Sequence, residues 1–384
     1  MTPHEIVYWV WLLSHMTDSL ELTCAVDQVP LLMKANPGAQ FRFDSKRSGE
    51  PNDQYVAPSW CNLEARLDVI AEGGERLGLS GERDTRWRWE GSASVEPVRL
   101  LPKVARRGQA FALETEDWIM FVAPVRSVVP RLSFQMRSHY LNSVGALDAF
   151  KAVKSWCEEN VFGLLNGVPI GSVPKWTISR VDLAADLAGV GLKASDLECF
   201  INRARFKREH HGPETATGNH RGRRFTGFEF GKRGAGMYAR IYDKTVEADK
   251  KALIREVWKE SGYRPEEHGS TVWRVEFEIR SKLLRDLVRK DEPEDKKHNP
   301  EDDEVNRRLN DDPAKTLGED LDDLWRLAVK EWLVLKSRTG ATRVARRPVR
   351  DWWGQLATIE RKLSLAASSG MKLSRQPAVS NDSQ

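Results

Sequence analysis

Three segments of the chain alternate between apolar and polar residues, and this pattern constrains the fold more than any other feature of the sequence. They are SRVDLAADL at 179–187, MYARIYDK at 237–244 and WRVEFEIR at 273–280. Because successive side chains of a β-strand point to opposite faces, each segment is predicted to be a strand with one apolar and one polar face. Three such strands indicate a sheet that covers a core with one side and presents charged side chains on the other.

Carboxylates recur on the polar faces of two of these strands. Asp182, Glu276 and Glu278 offer oxygen atoms, which are the ligands that Mg²⁺ and Mn²⁺ prefer. Like charges this close on a sheet repel one another unless a cation or arginines lie between them. Asp186 is about 13 Å beyond Asp182 along an extended strand, so it is expected to hold an arginine instead. The alternative is an ordinary solvated face of an antiparallel sheet.

The middle segment places a row of aromatic and basic side chains on its polar face: Tyr238, Arg240, Tyr242 and Lys244. A phenol has a pKa near 10, so a neighbouring cation is needed to make it a nucleophile at neutral pH. Arg240 and Lys244 both lie two residues from Tyr242 on that face. For either tyrosine, packing over a cross-strand neighbour is the alternative.

The remaining periodicity predicts an α+β fold of antiparallel sheets with helices packed on one face, in two similar halves, followed by a helical C-terminal region. In the first half, strands are expected at Val98–Val104, Ala110–Thr115, Trp118–Pro124 and Pro130–Ser138, before a helix at Ala146–Leu164. In the second half, strands are expected at Trp176–Leu187, Arg224–Phe230, Met237–Tyr242 and Thr271–Arg280, with helices at Ala194–Arg203 and Val246–Ser261.

Charge is distributed unevenly along the 384 residues, although the formal net charge is only +4. The stretch 291–323 is acidic and of mixed composition, which predicts a linker, whereas 336–350 is almost purely basic. The expected organisation is a first catalytic half at 1–165, a second half with the active site at 166–290, the acidic linker at 291–323, and a helical basic region with a flexible tail at 324–384. Without the linker the protein is cationic, which suits a partner that carries phosphates.

The four cysteines are far apart and form no CxxC pair, so neither a zinc site nor a disulfide framework is indicated. The opening YWVWLL is too short for a spanning helix and lacks a basic leader. It is interpreted as an anchor in the fold or as an extension before Met16. A cytoplasmic protein without a membrane partner is expected.

The three strands contain, in order, R-x-D at 180–182, R-I-Y-D-K at 240–244 and R-x-E at 274–276. This ordered set resembles the replication initiation family of plasmids and filamentous phages, the trans-acting type of rolling-circle initiator. The Gly-bearing FEFGKRGAGMYARIYDK and the later RRPVRDWW are similar to further features of that family. The resemblance covers roughly residues 18–353. The two-histidine metal motif of the better-known nicking superfamily is missing, and the adjacent His210 and His211 are expected to be loop residues.

The resemblance implies a metal-dependent enzyme that nicks one strand of a replication origin and later rejoins it. Tyr242 would be the nucleophile, forming a 5′-phosphotyrosine, with Arg240 and Lys244 as the other catalytic residues. Asp182, Glu276 and Glu278 would hold Mg²⁺ or Mn²⁺. The partner would be single- and double-stranded origin DNA, and a host helicase, a polymerase and a second copy are further candidates. The residues expected to contact DNA are Arg180, Arg221, Arg223, Arg224, Arg274, Arg346 and Arg347.

Two other functions are compatible with the same residues. A metal nuclease that activates water would use the carboxylates and leave Tyr242 structural. A non-catalytic DNA-binding regulator would use the polar faces for phosphate or protein contacts. Tyr238 shares the face of Tyr242, so the choice of nucleophile between them stays open.

Overall fold

The computed structural model describes residues 11–25, 67, 83–91, 95–101, 108–123, 132–162, 174–204, 207–213, 223–250, 252–260, 262–289, 308–358 and 373–375. The chain divides into two compact units, one formed by Leu20–Ser179 and one that combines Met1–Ser19 with Arg180–Gln384. Strand β1 (Trp11–Ala25) and a later strand, Lys175–Ala188, contribute residues to both units.

The unit Leu20–Ser179 contains an antiparallel sheet that is followed along the chain by helices. The elements are β2 (Arg83–Trp89), β3 (Glu96–Leu100), β4 (Phe111–Glu114), β5 (Trp118–Val122), β6 (Leu132–Met136), α1 (Ser138–Val144) and α2 (Ala146–Cys157), which a π-helical turn at Glu158–Phe162 extends. The sheet has the order β2-β3-β4-β5-β6 and continues into the second half of β1, which pairs with β6. Its rings interlock, since Trp118 packs against Trp89, Phe134 and Trp156 at centroid distances of 5.5, 5.5 and 5.1 Å.

The second unit is built on an antiparallel sheet. Its described strands between residues 175 and 280 are β7 (Lys175–Ala188), β8 (Phe200–Asn202), β9 (Lys207–Pro213), β10 (Arg223–Phe230), β11 (Met237–Asp243) and β12 (Trp273–Arg280). The order in the sheet is β7-β12-β11-β10-β9. The three alternating segments are strands, as the pattern predicts, and the structure shows that they are the neighbouring strands β7, β12 and β11. The apolar residues of all three strands are buried together, for example Leu183, Phe277 and Ala239, which are aligned across the sheet.

Short helices follow strand β11 directly. They are α3 (Thr245–Ala248), α4 (Ala252–Glu260) and α5 (Pro265–His268), and α6 (Ser281–Asp286) follows β12. Trp258 of α4 is buried with Ala188, Ala248 and Val272, and Ile254 and Tyr263 pack against this group. The fold is therefore α+β, as predicted, with helices placed immediately after the strands that carry the polar face.

The C-terminal region covers the apolar face of the same sheet. The rings of Trp325 and Trp332 lie against Phe277 with centroids 5.5 and 6.3 Å away. A further strand pair joins β13 (Leu287–Arg289) to β15 (Leu373–Arg375). The other described elements are a 3-10 turn at Leu309–Asp311, α7 (Pro313–Lys315), α8 (Leu321–Leu327) between π-helical turns at Thr316–Asp320 and Ala328–Trp332, β14 (Leu333–Leu335) paired with β8, a 3-10 turn at Val344–Arg346, and α9 (Asp351–Leu356).

The prediction of an acidic linker is wrong for residues 309–323, because these residues belong to the folded C-terminal region. Leu309, Leu317 and Leu321 are fully buried, so apolar residues at helical spacing outweigh the acidic composition. Residues 291–307 lie outside the described part of the chain.

Two local predictions also need correction. The helix expected at Ala194–Arg203 is a 3-10 helix at Ala194–Cys199 followed by β8, because the backbone of 200–202 pairs with β14 instead. His210 and His211, expected in a loop, belong to edge strand β9. Among the described residues, no helix is long and apolar enough to span a membrane.

Candidate active site

The polar face of β7, β12 and β11 carries the candidate active site. Antiparallel pairing arranges its side chains in three rows across the strands. The rows are Tyr242–Arg274–Asp186, Arg240–Glu276–Ala184 and Tyr238–Glu278–Asp182. Residues that are separated by tens of positions in the chain are thus direct cross-strand neighbours. The structure brings Tyr242, Arg240 and all three predicted metal ligands onto one surface.

The hydroxyl of Tyr242 is held by two charged groups. It donates a hydrogen bond to Oε2 of Glu276, at 3.0 Å, and accepts one from Nζ of Lys244, at 3.3 Å. Lys244 is only 4% exposed and also forms an ion pair with Glu247 of α3. Tyr242 therefore has a proton acceptor on one side and a cation on the other.

Cations also lie over the ring of Tyr242. The guanidinium of Arg240 is 5.2 Å and the ammonium of Lys244 is 5.5 Å from its centroid. Burial raises the pKa of Tyr242 well above 10, and the negative charge of Glu276 adds to this, whereas Arg274 and Arg240 lower it. In this state Tyr242 is a neutral phenol, with cations in place around it that would stabilise a developing negative charge.

Tyr238 differs from Tyr242 in access. It is only 3% exposed, whereas Tyr242 is half-buried. Arg233 lies over the Tyr238 ring, with 5.7 Å between the guanidinium carbon and the centroid. Of the two tyrosines on this face, Tyr242 is the one that a substrate can reach more easily.

Asp182 and Glu278 form a second charged group at the far end of the face. Arg180 donates to Asp182 from Nε, at 2.7 Å, and its Nη2 is 3.5 Å from Glu278, which also accepts from Nε of Arg280, at 2.6 Å. Burial raises the pKa of Asp182 to about 7; Arg180 opposes this, and the nearby Glu276 and Glu278 add to it. At this end of the face two buried carboxylates are thus paired with two arginines, and Asp182 ionises less readily than an exposed aspartate.

The oxygen atoms of the three carboxylates are ligands that a hard divalent cation prefers. Their positions in the structure, however, do not form a cation site. Each already accepts hydrogen bonds from an arginine, Glu276 from Arg240 and the other two as described above. Within the described ranges, no group of three or more His, Cys, Asp or Glu side chains is placed to hold a metal ion. As the side chains stand, arginines occupy the positions that a shared cation would need.

Arg274 is the most enclosed of the site's basic side chains. It is 2% exposed, and it donates to Asp186 from Nε and Nη2, at 2.6 and 2.8 Å, and to Asp18 of β1 from Nη1, at 2.6 Å. The indole N–H of Trp258 donates to the same Asp186, at 2.9 Å. Although burial alone would raise the pKa of Asp186, Arg274 and Trp258 hold it below its usual value.

The residues predicted to contact DNA differ in their accessibility. The prediction for Arg274 is wrong, because its guanidinium is buried between two aspartates and cannot contact a phosphate. Arg180 is likewise paired with Asp182 and Glu278. Arg346 is exposed in the basic stretch, and Arg347 donates to the carbonyl of Ala341, at 2.9 Å. Arg223 and Arg224 begin β10, and Arg221 lies outside the described residues.

A β-bulge lies beside the nucleophile candidate. The register of β10 against β9 shifts between Phe225 and Gly227, and Gly227 is the cross-strand partner of Tyr242. A Cβ at Gly227 would lie 2.0 Å from the carbonyl oxygen of Ile241 and 2.8 Å from Cα of Tyr242. Only glycine allows this close approach of the two backbones. Bulges of this kind are frequent next to active sites.

Sequence patterns alone do not identify Asp18 and Trp258 as parts of the site. Asp18 reaches Arg274 from a strand at the other end of the chain, and Trp258 reaches Asp186 from a helix. The sequence signal that points to this part of the site is Asp186, because a carboxylate on a strand face is expected to pair with an arginine.

No family model matches the chain, and no curated protein matches it. A solved structure of a rolling circle replication initiator protein from Geobacillus stearothermophilus is similar with a TM-score of 0.42 and 11% sequence identity. The match covers 94% of this chain and 100% of that chain. With so few identities, residue roles do not transfer from that protein to this one.

Proposed function

We propose that the protein initiates rolling-circle replication by nicking one strand of its origin with Tyr242 and later rejoining it. One observation carries the proposal: the Tyr242 hydroxyl lies between the carboxylate of Glu276 and the ammonium of Lys244, at 3.0 and 3.3 Å. A phenol needs a proton acceptor and a neighbouring cation to act as a nucleophile, and this one has both.

The proposed reaction is a transesterification, in which a phosphodiester of the DNA is transferred from its 3′ oxygen to the tyrosine oxygen. Tyr242 Oη attacks the phosphorus and its proton passes to the Glu276 carboxylate. The bond from phosphorus to the 3′ oxygen breaks, and that oxygen takes up a proton from solvent to become a free 3′ hydroxyl, while Glu276 returns its proton to solvent. The 5′ phosphate remains on Tyr242. Rejoining is the reverse reaction, because the phosphotyrosine bond conserves the energy of the broken bond.

The basic side chains have separate parts in this reaction. Arg240 holds Glu276 in place as its ion-pair partner and lies over the Tyr242 ring. Lys244 donates to the tyrosine oxygen and would stabilise the charge that develops there. Mg²⁺ or Mn²⁺ remains part of the proposal, and the arginines would first have to release the carboxylates.

The test is covalent capture on labelled single-stranded DNA from the replicon's own origin, analysed by denaturing electrophoresis. We expect wild-type protein to form a stable DNA–protein adduct. Tyr242→Phe should form none, while its folding and DNA affinity stay near wild type, because the ring that packs on the sheet is kept. Tyr238→Phe is the matched control on the same strand and should still form the adduct.

The other outcomes each contradict part of the proposal. An adduct with Tyr242→Phe but none with Tyr238→Phe would show that the nucleophile is Tyr238. Cleavage without any adduct, unaffected by either change, would favour the nuclease that activates water. DNA binding without cleavage would favour the non-catalytic regulator.

A further inference from the structure

We propose that Trp258 is a positioning residue for Tyr242, acting through Asp186 and Arg274; this inference rests on the function proposed above. Trp258 lies in α4, outside the strands that carry the site, and is 2% exposed. Its indole N–H donates to Oδ2 of Asp186, at 2.9 Å. A hydrogen bond from a buried donor to a buried charge restrains both groups more strongly than apolar packing does.

The second link is the pair formed by Asp186 and Arg274. Asp186 is fully buried, and its two oxygens receive Nε and Nη2 of Arg274, at 2.6 and 2.8 Å. Two parallel bonds between planar groups fix the orientation of the guanidinium as well as its distance. Asp18 holds the remaining end through Nη1, at 2.6 Å. The plane of Arg274 is thus set by Asp186, and Trp258 fixes the oxygen that Nη2 shares.

The third link joins Arg274 to the nucleophile candidate. Arg274 and Tyr242 are direct cross-strand partners, so their Cβ atoms are about 4.5–5.5 Å apart. The cation therefore lies beside the tyrosine, and its charge favours the ionised phenol. A guanidinium that turns away from this position would support the developing charge less well.

Contacts on both sides of Tyr242 come from the segment that follows it. Glu247 of α3 holds Lys244, which donates to the Tyr242 hydroxyl, and Trp258 of α4 holds Asp186. Packing with Ala188, Ala248 and Val272 would be satisfied by any large apolar ring at position 258. The indole N–H is the part of Trp258 that packing does not require, and it is the part that reaches the site.

The experiment compares Trp258→Phe with Trp353→Phe. Trp353 is also buried and donates its indole N–H to the carbonyl of Val329, at 3.0 Å, far along the chain in α9. Both changes remove one indole hydrogen bond and keep an aromatic ring. Adduct formation would be followed in single-turnover reactions with excess protein, together with DNA affinity and thermal unfolding.

We expect Trp258→Phe to form the adduct about tenfold more slowly, equivalent to ~1.4 kcal/mol, with DNA affinity within about twofold of wild type. Trp353→Phe should keep the wild-type rate although it loses comparable stability. Asp186→Asn should be slower still, and adding Trp258→Phe to it should cause little further loss, since both act through one connection.

The assignment is overturned if Trp258→Phe forms the adduct at the wild-type rate, or if both tryptophan variants slow equally. It is also overturned if the losses of Trp258→Phe and Asp186→Asn multiply. If Asp186→Asn fails to fold, the rates of adduct formation of Trp258→Phe and Trp353→Phe still test the assignment. Absence of an adduct with wild-type protein is a different result, which removes the proposed function and this assignment with it.

Discussion

At the scale of single residues, Asp182 carries a charge that the fold stabilises poorly. Burial raises its pKa from 3.8 to about 7, and the adjacent glutamates add to this. The folded protein therefore binds a proton between about pH 4 and pH 7 that the unfolded chain does not bind. The contribution of Asp182 to stability is complete below about pH 4 and is lost as the pH rises through 7.

We predict that this pH dependence disappears in Asp182→Asn. The change in pKa corresponds to at most about 4 kcal/mol, at 1.36 kcal/mol per pH unit. The free energy of unfolding, measured by urea at pH 4.5 and 7.5, should fall more for wild type than for Asp182→Asn. An equal fall in both proteins would mean that another group titrates. Asp186→Asn is no substitute, because the pKa of Asp186 is lowered instead.

Alternation along the strands predicted which residues share a face but not how deep each one lies. Tyr242, Arg240 and the carboxylates were placed together correctly because a period of two follows directly from strand geometry. Arg274 was expected to contact DNA because alternation cannot distinguish an exposed arginine from one enclosed by Asp186 and Asp18. That difference depends on partners far away in the chain.

At the scale of elements, the bulge in β10 allows the backbone of β11 to approach Gly227 closely at Tyr242. Gly227 has a φ of +152°, and a side chain there would meet the backbone of β11 within 2.0 Å. We predict that Gly227→Ala destabilises the protein by at least about 2 kcal/mol, from backbone strain and displacement of the neighbouring strand. Urea unfolding and adduct formation are the measurements.

Gly191→Ala is the matched control for the bulge, because a Cβ there has nothing within 4 Å. It should change stability by no more than about 0.5 kcal/mol. If Gly227→Ala were equally mild, β10 would have to move without cost, and the close approach to Tyr242 would not be a requirement of the fold.

The basic stretch 336–350 forms a loop that is closed at its base. Lys336 pairs with Val349, and the N–H of Arg350 donates to the carbonyl of Leu335, at 2.9 Å. Arg338 and Arg350 are anchored on Asp196, whereas Arg343 and Arg346 are exposed and have no ion-pair partner within the described ranges. These two side chains are therefore available for phosphate.

We predict that replacing Arg343 and Arg346 by Gln weakens DNA binding for all sequences alike. The slope of log K against log salt should decrease by about 0.7–0.9 for each phosphate that the variant no longer neutralises. Titrations at several salt concentrations measure it. Lys151→Gln with Lys154→Gln removes the same charge from α2 and should leave the slope unchanged. An unchanged slope in the arginine variant would mean that the loop does not bind the DNA backbone.

Strands and long helices were predictable where local periodicity and burial agree, as in β7, β11, β12 and α2. Prediction failed where pairing or packing at a distance decides the outcome. Edge strand β9 contains charged and histidine residues that a loop would also contain, and it is a strand because β10 pairs with it. Residues 309–323 are acidic yet folded, since their leucines are buried in the C-terminal region.

At the scale of the whole molecule, the acidic and basic residues largely cancel, which leaves a net charge of only +4. Asp182 and Glu278 are paired with Arg180 and Arg280, while Arg343 and Arg346 are exposed in the basic loop. A DNA strand that reaches the active site would bring phosphates to carboxylates that arginines hold. Phosphates compete for those arginines, and freed carboxylates would be able to bind a cation.

Our last prediction follows from this competition: adduct formation requires Mg²⁺ or Mn²⁺, and the cation binds more tightly when DNA is present. EDTA should abolish the adduct, and either ion should restore it. Titration of Mn²⁺ should give weak binding to the free protein and stronger binding to the complex of Tyr242→Phe with origin DNA, which cannot react. Asp182→Asn in that background should remove the difference, because it removes a ligand whose charge the cation would neutralise. Adduct formation that persists in EDTA would mean that the arginines alone neutralise the phosphate.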